Sequence, residues 1–168
     1  MYTVGDQAEI YVWDLRHSRR CLAKVGDEGS FNTTHLAVSA DGSQLATGSH
    51  SGVVNAYRIE ETTSGVPLTL VKSLMNLTTA VSDLRFDQTG QILGVCSKWK
   101  KNAVRLIHTG AGGTYTAFQN FPAGQAVGVL RYPLALGFSC DSQYFAMGND
   151  EGRAHLWHLN QFGASPKE

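Results

Sequence analysis

HLAVSADGSQLATGSHSGVVNAYRI, His35 to Ile59, reads as three short β-rich runs joined by two tight turns. Asp41-Gly42 marks the first turn and Ser51-Gly52 the second, since glycine accepts the positive φ that hairpin turns demand. The closing run, Val53-Val54-Asn55-Ala56-Tyr57, is too apolar for a solvated edge and suits a strand covered on both faces. No stretch of the chain carries a sustained helical period, so strands and turns are the whole vocabulary.

The same pattern recurs along the chain. LGFSCDSQYFAMGNDEGRAHLWHL runs from Leu136 to Leu159, and VSDLRFDQTGQILGVCS from Val81 to Ser97 continues, after the insertion KWKKN at Lys98–Asn102, as AVRLIH from Ala103 to His108. Thr89-Gly90 and Glu151-Gly152 repeat the turn device, and MYTVGDQAEIYVWDL opens the chain with a partial copy. The turn aspartates Asp41, Asp87 and Asp141 are 46 and 54 residues apart, and Trp13 and Tyr57 are 44 apart. A β-rich repeat of about 40–45 residues is the signature of four-stranded propeller blades.

Val12-Trp13-Asp14 and Leu156-Trp157-His158, with Tyr57 in the equivalent place, resemble the closing strand of WD repeats. The resemblance implies an all-β, partial WD-repeat β-propeller of about four blades, the first and last incomplete. The units expected are 1–25, 33–75, 80–119 and 134–159, followed by a polar tail at 160–168, and 1–159 reads as the C-terminal part of a larger propeller. In WD repeats the strand aromatic, an aspartate in the preceding turn and a histidine before the first strand form a hydrogen-bonded network. That role falls here to Asp6 with Trp13 and to Asp150 with Trp157. No Gly-His dipeptide precedes a first strand, and His50 stands where the second unit would carry its turn aspartate, so no blade is expected to hold the full network.

Longer phrases resemble the WD-repeat members of the U3 small nucleolar RNA-associated family. They are MYTVGDQAEIYVWDL at Met1–Leu15, DEGS at Asp27–Ser30, SGVVNAY at Ser51–Tyr57, SLMNLTTAVSDLRF at Ser73–Phe86, ILGVCSKWKKNAVRLIH at Ile92–His108 and FQNFP at Phe118–Pro122. The resemblance implies a nucleolar, nuclear scaffold of the small-subunit processome, acting with other UtpB subunits, U3 small nucleolar RNA and pre-ribosomal RNA in small-subunit biogenesis. RNA would be met directly or through other subunits. The competing reading is a generic WD-repeat adaptor for peptide motifs in a ubiquitin-ligase or signalling complex, and the fold does not separate the two.

Composition narrows the chemistry. Among 168 residues, 14 Lys plus Arg balance 14 Asp plus Glu, so any polyanion contact must be a local patch. Cys21, Cys96 and Cys140 are odd in number and share no close spacing, which argues against a disulfide framework or zinc ribbon and fits a reducing compartment. The sequons at Asn32 and Asn76 read as loop residues, with no signal peptide expected, and no apolar run approaches the ~18 residues of a spanning helix. A soluble, intracellular protein without a membrane partner is expected. Neither a cofactor, a metal nor a small-molecule substrate is expected. His155 and His158 lie an odd number of residues apart on one strand and face opposite ways. Gly110-Ala111-Gly112-Gly113 lacks the lysine and hydroxyl of a phosphate loop, and no nucleophile elbow occurs, so no enzyme is read here.

Two basic clusters stand out: Arg16, His17, Arg19 and Arg20 in one turn, and Lys98, Lys100, Lys101 and Arg105 beside Trp99 in another. Cations next to an aromatic suit RNA, phosphate on the charge and a base on the ring. A solvated turn that keeps strand edges soluble is the alternative. The Lys98–Asn102 cluster has the stronger case because it lengthens a turn that the fold would otherwise keep short.

Overall fold

The structure, a computed structural model, describes residues 1–16, 21–60, 68–110, 113–118 and 130–159. These contain fourteen strands and no helix, gathered in four antiparallel sheets of three, four, four and three strands. The first sheet is β1 (Tyr2–Gly5), β2 (Glu9–Val12) and β3 (Ala23–Gly26). The second is β4 (Thr33–Val38), β5 (Gln44–Ser49), β6 (Val54–Ile59) and β7 (Leu68–Leu74). The third is β8 (Asp83–Phe86), β9 (Ile92–Cys96), β10 (Val104–Gly110) and β11 (Thr114–Ala117). The fourth is β12 (Pro133–Phe138), β13 (Tyr144–Asn149) and β14 (Ala154–His158). Within each sheet the strands pair in chain order, so every connection inside a blade is a hairpin.

The sheets stand side by side as successive blades, with β1 against β4, β4 against β8 and β8 against β12. They form an open arc, a partial propeller. Each seam between blades is one apolar cluster. Ile10 and Val12 meet Leu45, Tyr57 and Leu68 between blades 1 and 2. Val54 and Val81 meet Leu93 and Ile107 between blades 2 and 3, and Ile92 and Val104 meet Leu136 and Phe145 between blades 3 and 4. β9 therefore serves two seams: Leu93 and Val95 face one neighbour, while Ile92 and Cys96 face the other. Its five residues are all buried, whereas β14, on the last blade, alternates between exposed and half-buried. That is the physical reason for an unbroken apolar run at Ile92–Cys96 and a period of two in Ala154–His158.

The turns repeat as closely as the strands. Between the first two strands of blades 2, 3 and 4, Asp41, Asp87 and Asp141 each bind a hydroxyl two residues away, on Ser39 and Ser43, Thr89, and Ser139. Each also accepts the main-chain N–H two residues on, from Ser43 at 3.1 Å, Thr89 at 3.2 Å and Gln143 at 3.1 Å. Hydrogen bonds from Ser39 and Ser43 hold the Asp41 carboxyl below its ordinary range, and those from Ser139 and the Gln143 amide do the same for Asp141. Close packing of the blades requires glycine at two points. A Cβ on Gly48 would lie 2.6 Å from a methyl of Val81, and one on Gly52, whose φ is +88°, would lie 2.7 Å from the Leu77 carbonyl oxygen.

Candidate functional site

One rim of the arc is built from the turns between the second and third strands of the four-stranded blades, together with the connectors that lead from one blade to the next. Main-chain hydrogen bonds make it continuous. The Asp27 amide donates to Ala8, His50 to Asn32, Val81 to Ser49, Asn102 to Arg131 and Asp150 to Tyr132, at 2.7 to 3.1 Å.

The most buried charge on this rim is Asp27, in the connector after β3. Its Oδ1 accepts from the Tyr57 hydroxyl at 2.6 Å, Asn55 Nδ2 at 2.7 Å and Thr47 Oγ1 at 3.0 Å, and its Oδ2 accepts from Thr33 Oγ1 at 2.6 Å. Asp27 is only 4% exposed, and a carboxylate there is sustained by these four donors, drawn from β4, β5 and β6. Burial, and then the bond to Asp27, push the Tyr57 phenol well above its ordinary value. Tyr57 Oη also accepts the Glu28 amide at 3.3 Å, and Asn55 Nδ2 reaches the Glu28 carbonyl at 2.7 Å. The knot pins the connector that carries Phe31, 86% exposed and the most exposed of the large apolar side chains described.

Among the described residues neither His35 nor His50 takes part in this network, whose acceptor is Asp27 in the connector ahead of β4, the first strand of its blade. Two assigned partners are corrected. The Trp13 indole N–H donates to Thr3 Oγ1 at 2.8 Å, while Asp6 lies exposed in its turn. Asp150 accepts the Tyr132 amide at 3.1 Å, and Trp157 packs on Phe145 with ring centroids 5.6 Å apart.

Midway along the rim stands the turn between β9 and β10. Its base is fixed, since Ser97 Oγ and Thr79 Oγ1 are 2.7 Å apart and the Lys98 amide donates to Ser82 Oγ at 2.9 Å. Its tip is exposed: Trp99 is 64% accessible, and Lys98, Lys100 and Lys101 all lie in solvent. Lys98 Nζ stands 5.3 Å from the centre of the Trp99 ring, and Lys101 Nζ stands 5.7 Å from that of Tyr132, on the connector into β12. Lys100 Nζ donates to Thr78 Oγ1 at 3.2 Å. Three lysines and two aromatic faces thus share one surface, and Tyr132 joins it only through the fold. Arg105 does not join: its guanidinium donates to the carbonyls of Val104 at 2.7 Å and Asn102 at 3.4 Å, bracing the turn from below.

The other basic cluster does not meet this one. Arg16 follows β2, at the opposite end of the strands from the rim, and forms an ion pair with Asp14 at 3.0 Å. Its companions His17, Arg19 and Arg20 lie outside the described residues, as does the tail at 160–168. Among the described residues no three of His, Cys, Asp and Glu are placed to hold a metal ion.

Comparison with known proteins agrees with this architecture. The chain is 38% identical over 162 residues to the mouse U3 small nucleolar RNA-associated protein 18 homolog, covering 96% of this chain and 28% of that protein. It is 31% identical over 179 residues to the U3 small nucleolar RNA-associated protein 18 of Saccharomyces cerevisiae, covering 96% of this chain and 29% of that one. The chain thus spans a little over a quarter of the curated relatives it matches. Among solved structures it resembles the β-propeller domain of Cps50 (Swd1) from Myceliophteria thermophila. The TM-score is 0.74 at 13% identity, over 94% of this chain and 49% of that one, a likeness of fold alone. No protein-family model matches the chain.

Proposed function

This chain is a homologue, over almost its whole length, of proteins named U3 small nucleolar RNA-associated protein 18, and from that premise we propose that it is a non-catalytic scaffold of the small-subunit processome. In this reading it works in the nucleolus beside other UtpB subunits, in the processing of pre-18S ribosomal RNA. The rim turn contacts U3 or pre-ribosomal RNA. The observation that carries the RNA contact is the pairing of lysines with aromatic faces at Lys98–Trp99 and Lys101–Tyr132. Ammonium groups neutralise phosphates and release counterions, while an exposed indole offers a stacking face to any base. The rigid base of the turn limits the entropy lost when RNA orders its tip.

Charge reversal of Lys98, Lys100 and Lys101 in the full-length polypeptide tests the contact. Filter binding to a pre-ribosomal RNA fragment should weaken, and the slope of log affinity against log salt should flatten by about two for single-stranded RNA. An unchanged slope would remove the turn from the RNA path. The wider assignment is tested by purifying the tagged full-length polypeptide and sequencing the RNA it retains. U3 RNA with UtpB proteins is the expected yield, whereas ligase or signalling components without that RNA would support the peptide-adaptor reading instead.

A further inference from the structure

On the rim opposite the lysine turn, blades 2 and 3 do not close completely. They leave a cleft of about 610 Å³. One wall comes from blade 2, with Arg58, Ile59 and Val71, and the other from blade 3, with Gly90, His108 and Tyr115.

The floor is finished, not a packing fault. Gln44 crosses from blade 2 to blade 3, accepting the Tyr115 hydroxyl at 2.9 Å and donating to the Gly90 carbonyl at 3.2 Å. Thr109 Oγ1 also donates to that carbonyl. Among the described residues that line the cleft Arg58 is the one permanent charge, and none is a carboxylate. The nearby turn carboxylates are engaged elsewhere, Asp41 with Ser39 and Ser43, and Asp87 with Thr89 and the Ile92 amide. Arg58 reaches from β6 across to the turn between β10 and β11, where its Nη2 lies 3.2 Å from the place a Cβ on Gly113 would occupy. Among the described residues its guanidinium has no ion-pair partner. A planar fork of donors held over a concave wall suits a carboxylate, which it can grip with two parallel hydrogen bonds.

We propose that this cleft binds an acidic segment of a partner protein, with an Asp or Glu carboxylate on Arg58 and a neighbouring aliphatic side chain against Ile59 and Val71. The volume falls within the range of ligand pockets, and a few polar groups orient what the apolar wall holds. A nucleic acid fits less well. The cleft's aromatic ring, Tyr115, is buried with its hydroxyl bound to Gln44, so no face is open for a base to stack on. The site stands apart from the lysine turn, and its existence does not depend on the RNA reading.

The test pans a phage-displayed library of random dodecapeptides against the full-length polypeptide, its Arg58→Glu variant and the triple lysine reversal. The expected selection on the unaltered protein and on the lysine variant is peptides pairing Asp or Glu with Leu, Ile or Val. Synthetic copies should lose about ten- to a hundredfold in affinity on Arg58→Glu, the range for a lost charge-assisted hydrogen bond. Arg58 is exposed, so the variant should melt with the unaltered protein, and Arg58→Lys should retain part of the binding. Selection without acidic enrichment, acidic peptides that bind Arg58→Glu equally well, or their loss in the lysine variant would each overturn the proposal. Oligouridine binding that depends on Arg58 while no acidic peptide is selected would assign the cleft to RNA instead.

Discussion

Asp27 shows how much one residue can carry in a fold made mostly of apolar seams. Its four donors come from Thr33, Thr47, Asn55 and Tyr57, so removing the carboxylate strands several buried polar groups together. Asp27→Ala should cost about 3 kcal/mol or more, and Tyr57→Phe about 1–2 kcal/mol, read from the denaturant midpoint. The turn aspartates act differently, through pH. The folded carboxyls of Asp41 and Asp141 titrate below their unfolded values, so the unfolded chain takes up protons first as acid is added. Their stabilisation is complete above about pH 4, the unfolded aspartate value, and is lost as pH falls through the lower folded values. Asp41→Asn with Asp141→Asn should therefore flatten the acid limb of a stability-against-pH curve and leave the neutral slope alone.

At the scale of elements, the blade is the unit and its contacts with neighbours decide which substitutions it tolerates. Gly48→Ala would drive a methyl into Val81 and should destabilise the chain by about 1–3 kcal/mol. Val81→Ala costs stability alone, yet it should restore part of the loss in the double variant, a coupling that denaturation of all four proteins would measure. The strands were legible in the sequence because apolar runs and Asp-Gly turns recur at blade spacing. The three turn aspartates were legible for the same reason. What escaped was whatever lies between repeats. Asp27 directly follows β3, and its donors are spread over three later strands. Tyr132 reaches Lys101 because the residues just ahead of β12 lie against the turn between β9 and β10, where the Asn102 amide donates to the Arg131 carbonyl. Arg16 and Lys98 look alike in the sequence, and only the strand directions send them to opposite rims.

Seen whole, the molecule is an arc with two open flanks. Among the described residues β14 is the outer strand of its sheet, and its Leu156 is 66% exposed, features that invite pairing with another chain. In dilute solution this chain alone should self-associate, and Leu156→Lys should shift sedimentation towards monomer. A sharply melting monomer without the substitution would count against the larger-propeller reading. The seams differ in kind as well as in size. Among the described residues twelve buried apolar side chains meet between blades 2 and 3 and five between blades 1 and 2, where the Asp27 knot lies close by. Apolar contact weakens on cooling, a loss that scales with the apolar area a seam buries, whereas the knot holds by hydrogen bonds to a carboxylate. Chilling should therefore take more from the middle seam than from the first joint, a difference that amide exchange followed in the cold would read.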